Sequence, residues 1–120
     1  MKGRLSDKQR LLHILESIAE IEKYTSHVSL DSFMENSMMR YASIKQIEII
    51  GEAANQISTD TKNRFSDIQW RQIVGLRNVL VHEYFGVDNQ LVWQIIVHDI
   101  PNLKVAVQAI LLEINHDNTP

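Results

Sequence analysis

The sequence predicts an all-α protein, an antiparallel four-helix bundle of the up-and-down kind, and three observations carry that prediction. Four stretches repeat apolar residues at intervals of three and four, the period of a helix with one buried face. No stretch alternates apolar and polar residues with period two, and no hairpin signal or internal repeat interrupts the pattern. The length of 120 residues suits one domain, residues 1–120, and without cysteine its core must hold without disulfides.

The first predicted helix opens on Ser6-Asp7-Lys8-Gln9, a capping box in which Ser6 and Gln9 satisfy each other's backbone donors. Behind it Leu11, Ile14, Leu15, Ile18 and Ile21 line one face, and the helix is expected to run to about His27. Ser29-Leu30-Asp31 reads as a turn. From Phe33 to Ile57 the same period continues through Met34, Met38, Tyr41, Ile44, Ile47, Ile50 and Ala54, which predicts one long second helix. Its Met34, Met38 and Met39 read as core or interface filler. Gly51 falls in its interior, where glycine costs about 1 kcal/mol relative to alanine unless another backbone passes close by, so it marks a crossing point.

A polar stretch from Ser58 to Arg64 follows, and Ser66-Asp67-Ile68-Gln69 reads as a second capping box that opens the third helix. The third helix turns Trp70, Ile73, Val74, Leu80 and Val81 inward and is expected to end near Tyr84-Phe85-Gly86. Asp88 caps the fourth, whose inward residues are Val92, Ile95, Ile96, Ile100, Leu103, Val107, Ile110, Leu111 and Ile114. Pro101 lacks a backbone N–H, so a kink is expected between Val97 and Pro101.

A net charge of −3 argues against a protein that coats nucleic acid without specificity, because such binding rests on many Lys and Arg contacts to phosphate. Residues 1–77 hold 11 of the 12 basic side chains, so any phosphate site is local and draws its cations from that part. The basic N-terminal cluster of Lys2, Arg4, Lys8 and Arg10 reads first as a solvated helix start. Polar breaks at Gln94, His98-Asp99 and Asn102 to Lys104 interrupt the richest apolar stretch, and no apolar run follows the first residues. With cysteine absent, the expectation is a cytoplasmic protein with no membrane association.

The residues with chemical potential gather in Arg77-Asn78-Val79-Leu80-Val81-His82-Glu83-Tyr84. Arginine offers phosphate a permanent charge and a planar fork of donors, and histidine moves protons near neutral pH. Trp70, Arg77 and Tyr84 are seven apart and share a face, which puts the guanidinium within an apolar stripe. Burying it unpaired costs several kcal/mol, so Arg77 either pairs with Glu52 or Glu48 of the second helix or opens into a cleft that receives an anion. Arg77 and His82 point about 140° apart on an unbroken helix, so either the helix unwinds or a second subunit completes the site. Asn78 and His82 are four apart and can hydrogen-bond, which would orient the imidazole. His13, His27, His98 and His116 lack metal-ligand spacing, and no metal site is expected. There is no Walker loop, glycine-rich fingerprint or nucleophile elbow.

These residues, with Ile50-Gly51-Glu52-Ala53-Ala54, Ile68 to Asn78 and Val87-Asp88 through Asp99-Ile100-Pro101-Asn102-Leu103, resemble the HepT toxins of the HEPN superfamily. The signature of that family is an arginine, often followed by a polar residue, then a histidine with four to six residues between it and the arginine, and in HepT proteins a tyrosine two residues later. Arg77, Asn78, His82 and Tyr84 occupy those positions. The resemblance implies a HEPN-like helical bundle and a homodimer in which two copies of the motif share a cleft. It also implies metal-independent endonucleolytic cleavage of RNA, whether tRNA or mRNA, with Arg77 and His82 catalytic and Asn78 orienting a phosphate oxygen. It further implies a toxin of a type VII-like HEPN/nucleotidyltransferase toxin–antitoxin pair. A minimal nucleotidyltransferase antitoxin, similar to MntA, would neutralise it by moving AMP from ATP to Tyr84, and no resident cofactor is expected. Glu52 would then line the cleft, hold Arg77 at rest or hold the dimer. The alternative is a non-catalytic nucleotide- or substrate-binding subunit of a nucleotidyltransferase complex.

Overall fold

The computed structural model describes residues 6–79 and 88–117, and those residues are helical apart from the turns and caps between helices. Helix α1 spans Asp7–Thr25, α2 Leu30–Glu35, α3 Ser37–Asn55, α4 Thr59–Arg64 and α5 Trp70–Val79. Helix α6, Asn89–Gln94, continues through a π turn, Ile95–Asp99, into α7, Ile100–Asp117. The all-α class holds, and the four expected long segments appear as α1, α3, α5 and the α6–α7 rod.

Local signals placed the starts of α1 and α6. Ser6 Oγ accepts from the Gln9 N–H at 3.1 Å while Gln9 Oε1 accepts from the Ser6 N–H at 3.0 Å, which completes the capping box. The helix stops at Thr25, two residues short of His27, which takes the left-handed conformation at φ 60° that glycine more often supplies. Asp88 Oδ1 accepts from the Leu91 N–H at 3.0 Å and caps α6.

The long second helix is broken. Asn36 is extended, and its N–H closes α2 on the Phe33 carbonyl while its Oδ1 opens α3 by accepting from the Met39 N–H at 2.9 Å. An amide that competes for backbone groups ends one helix and starts another, and apolar spacing cannot register that. Arg40 seals the joint by donating Nη1 to the carbonyls of Phe33 and Met34. Phe33 is fully buried and stacks on Trp93 with ring centroids 5.0 Å apart. Met34, Met38 and Tyr41 face outward, Met38 at 81 % exposure, so only Met39 of the three methionines packs on the core.

The polar stretch after α3 is itself helical. Ser58 caps α4 by accepting from the Thr61 N–H at 3.2 Å. Asp7 ties this cap to the start of α1, accepting from Ser58 N–H at 3.0 Å, Ser58 Oγ at 2.6 Å and the Thr61 hydroxyl. The predicted second capping box does not open α5, which begins at Trp70, four residues after Ser66. There the Trp70 N–H donates to the Ile68 carbonyl at 2.9 Å and its indole N–H to the Phe65 carbonyl at 3.1 Å.

Leu11, Ile14 and Ile18 of α1, Ile47 and Ile50 of α3, and Val107 of α7 are fully buried and form the centre of the core. Gln46 reaches Tyr24 near one end of α1, and Asp7 reaches Ser58 at the other, so α1 and α3 are antiparallel. Lys104 of α7 pairs with Glu22 of α1 at 2.9 Å, and Glu113 pairs with Arg64 of α4 at 3.5 Å. Where the kink is expected the helix makes a π turn, in which the Ile100 N–H donates to the Ile95 carbonyl one residue before Pro101. The continuous helix from Asn89 to His116, whose most apolar 18-residue window has a mean hydropathy of 1.5, is by length and composition apolar enough to cross a bilayer. In this fold its apolar side, including Val92, Ile100 and Ile110, is core.

Candidate active site

Helix α5 is anchored by Trp70 and Leu76, both nearly buried, and Arg77 follows Leu76 at the edge of that contact. The crossing with α3 lies at Gly51. A Cβ placed on Gly51 would come within 3.0 Å of Arg77 Cα and 2.9 Å of Arg77 Cβ, and closer still to the Arg77 backbone nitrogen. The expected crossing point is therefore present, and the backbone that passes over it is that of the arginine.

The guanidinium is not sealed in the core. The Arg77 side chain is 34 % exposed, and its Nη1 meets Glu52 Oε2 at 3.3 Å, with Glu52 59 % exposed. This corrects the expectation of a cation within an apolar stripe: the backbone and Cβ of Arg77 sit at the crossing with Gly51, and its guanidinium reaches out of the contact to Glu52. Of the two carboxylates considered, Glu52 takes the guanidinium, while Glu48 lines the same groove. The groove has a volume of ≈ 400 Å³ and is walled by Lys45, Glu48, Ile49 and Glu52 of α3 and by Arg77 and Asn78 of α5. Lys45 was not singled out in the sequence, although its spacing of three and seven from Glu48 and Glu52 puts all three on one face of α3.

One ion pair at 3.3 Å between two partly exposed groups is weak, on the order of 0–1 kcal/mol. Arg77 is therefore held in place yet can be taken over by a phosphate, which offers it two oxygens in a fork geometry. The exposed Asn78 side chain can donate to the same anion. His82 and Tyr84, the other two motif residues, lie outside the described residues. Among the described residues no group of three or more His, Cys, Asp or Glu could hold a metal ion. His13, His27, His98 and His116 are exposed. A second groove, of ≈ 470 Å³, runs between α1 and α3 past Arg10 and His13 and shares Ile49 and Glu52 with the first.

The model of a family described as ribonuclease HepT-like matches residues 14–110, a span that takes in Gly51, Glu52 and the whole Arg77 to Tyr84 motif. This chain belongs to the HepT-like ribonuclease family. The chain is 41 % identical over 103 residues to "Putative RNase MJ1380" of Methanocaldococcus jannaschii, covering 86 % of this chain and 94 % of that protein. It is 38 % identical over 99 residues to "Probable ribonuclease HepT" of Thermococcus cleftensis, covering 82 % of this chain and 90 % of that one. No solved structure matches it. As a HepT-like ribonuclease it is an enzyme of HEPN type, and the groove that joins α3 to α5 holds the described half of its motif.

Proposed function

We propose that this ribonuclease cleaves RNA by internal attack of a ribose 2′-hydroxyl on the adjacent phosphate, without a metal ion, as the toxin of a HEPN/nucleotidyltransferase toxin–antitoxin pair. The observation that carries the reading is the placement of Arg77: a guanidinium at the mouth of a groove, held by one carboxylate at 3.3 Å and flanked by Asn78. In this reading His82 moves the proton, the bond from phosphorus to the 5′-oxygen breaks, and Arg77 stabilises the charge that builds on the phosphate oxygens. Asn78 orients one of those oxygens. Proton transfer by a placed side chain contributes roughly 10² to 10⁴ in rate, and removing one preorganised donor costs roughly 10² to 10³.

The same reading makes the working unit a homodimer in the cytoplasm, since a second copy of the motif would bring His82 and Arg77 of different subunits to one phosphate. The antitoxin would be a minimal nucleotidyltransferase that adds AMP from ATP to Tyr84. An anionic adduct two residues from His82 would compete with RNA for Arg77.

Purified protein, shown by mass to carry no adenylyl group, is incubated with total RNA in EDTA beside an Arg77→Ala, His82→Ala variant. Cleavage by the wild type alone, leaving 2′,3′-cyclic phosphate or 3′-phosphate ends, is the expected result. Absence of cleavage by the wild type would favour a nucleotide-binding subunit of a nucleotidyltransferase complex.

A further inference from the structure

A catalytic cation works only where charge develops, and a displacement of about 1 Å can cost on the order of 10² in rate. Helix α3 controls the position of Arg77 at two points. The first is the backbone: any side chain at residue 51 would run into Arg77 N, Cα and Cβ, the fixed part of helix α5 rather than the tip of a flexible side chain. Helix α5 would have to move as a whole, because Trp70 and Leu76 anchor it to the core. The second point is the guanidinium, which meets Glu52, the next residue along α3. Gly75, on α5 two residues before the arginine, makes the contrast, since a Cβ there meets nothing within 4 Å.

We propose that Gly51 and Glu52 are positioning residues for the ribonuclease reaction, a two-point seat in which Gly51 sets how deeply α5 lies on α3 and Glu52 sets the direction in which the guanidinium enters the groove. The inference rests on Arg77 acting at the scissile phosphate. Neither residue touches the reacting atoms; both act through Arg77. A glycine kept for packing alone would affect stability without a specific effect on the chemical step.

Steady-state cleavage of a defined RNA is measured for the wild type and for Arg77→Ala, Gly51→Ala, Gly75→Ala, Glu52→Ala and Glu52→Gln. Wild-type cleavage that is lost in Arg77→Ala secures the underlying reading. A wild type that cuts no RNA, or an Arg77→Ala variant that cuts as well, overturns that reading and the seat with it. Given the reading, Gly51→Ala lowers kcat about ten-fold or more with KM within about two-fold, and Gly75→Ala matches the wild type. Glu52→Ala lowers kcat without raising KM or altering the melting temperature, and Glu52→Gln, which keeps an acceptor oxygen, recovers part of the loss. Placed on an Arg77→Lys background, Gly51→Ala costs at most about three-fold, because the flexible lysine stem can reach past the shift. Wild-type kcat in Gly51→Ala, or an equal loss on the lysine background, overturns the seat. If Gly51→Ala does not fold by circular dichroism, Glu52→Ala decides, and wild-type kcat there overturns the proposal.

Discussion

Helix α3 meets α1 and α5 by opposite rules. Toward α1 it presents fully buried Ile47 and Ile50 in a core shared with Ile14 and Ile18, and α1 is tied near both of its ends, by Tyr24 to Gln46 in the middle of α3 and by Asp7 to Ser58 just past its end. Toward α5 its closest approach is a glycine under a backbone, with polar Lys45, Glu48 and Glu52 around the opening. The first contact gains stability from side-chain volume. The second gives up volume to bring one cation close to the surface, which separates what keeps the protein folded from the group that, in the proposed function, acts on phosphate.

The strongest way to break that separation is to attack the core side. Ile18→Ala removes a fully buried side chain and is expected to cost about 2–5 kcal/mol, read as a lower urea midpoint, while activity per folded molecule stays at the wild-type level. A specific loss of kcat in that variant would show that the two contacts are coupled. The opposite substitution, Arg77→Ala, is expected to lose roughly 10² to 10³ in kcat, about 3–4 kcal/mol of transition-state stabilisation. Its urea midpoint should barely move, because the ion pair it removes is partly exposed.

Smaller changes sharpen the comparison. Asn36→Ala removes the side-chain cap of α3 and is expected to cost about 1 kcal/mol by urea denaturation, without a change in kcat, since the α2–α3 joint lies at the far end of α3 from Gly51. Gly75→Ala fills open space in α5 and is expected to raise stability by about 0.5–1 kcal/mol by the same measurement.

The smallest effect belongs to Lys23, whose hydrogen bond and charge hold the exposed Glu20 carboxyl below its ordinary pKa, while Glu20 holds the Lys23 ammonium above its own. Stability from a lowered carboxyl is complete above its unfolded pKa and is lost as pH falls through the folded one. Stability from a raised ammonium is complete below its unfolded pKa and is lost as pH rises through the folded one. Lys23→Ala should therefore lower the urea midpoint slightly around neutral pH, and the difference should close in acid as Glu20 protonates.

Much of this was legible in the sequence wherever a signal is local. The caps at Ser6 and Asp88 need only residues three apart, and the inward faces of α1 and α7 follow from periodicity. The motif from Arg77 to Tyr84 carried the family together with the segments around Gly51, Ile68 to Asn78 and the start of the last helix, and Gly51 declared a crossing because an interior glycine is otherwise a cost. Local signals failed where several competed. Ser66 to Gln69 has the composition of a capping box, yet the bonds of Trp70 to Phe65 and Ile68 delay α5. Met38 and Tyr41 keep the apolar period of α3 but stand outside the core, in the first turns of α3 after the break at Asn36.

By itself, then, the sequence determined the helical class, most inward faces, the caps at Ser6 and Asp88 and the family, since each is written in residues within a few turns of one another. Only the tertiary structure decided which carboxylate holds Arg77. Glu48 and Glu52 are one helical turn apart on α3 and equal by spacing, and the choice falls to Glu52 because α5 crosses at Gly51, 26 positions away from Arg77 in sequence and in contact with it in space.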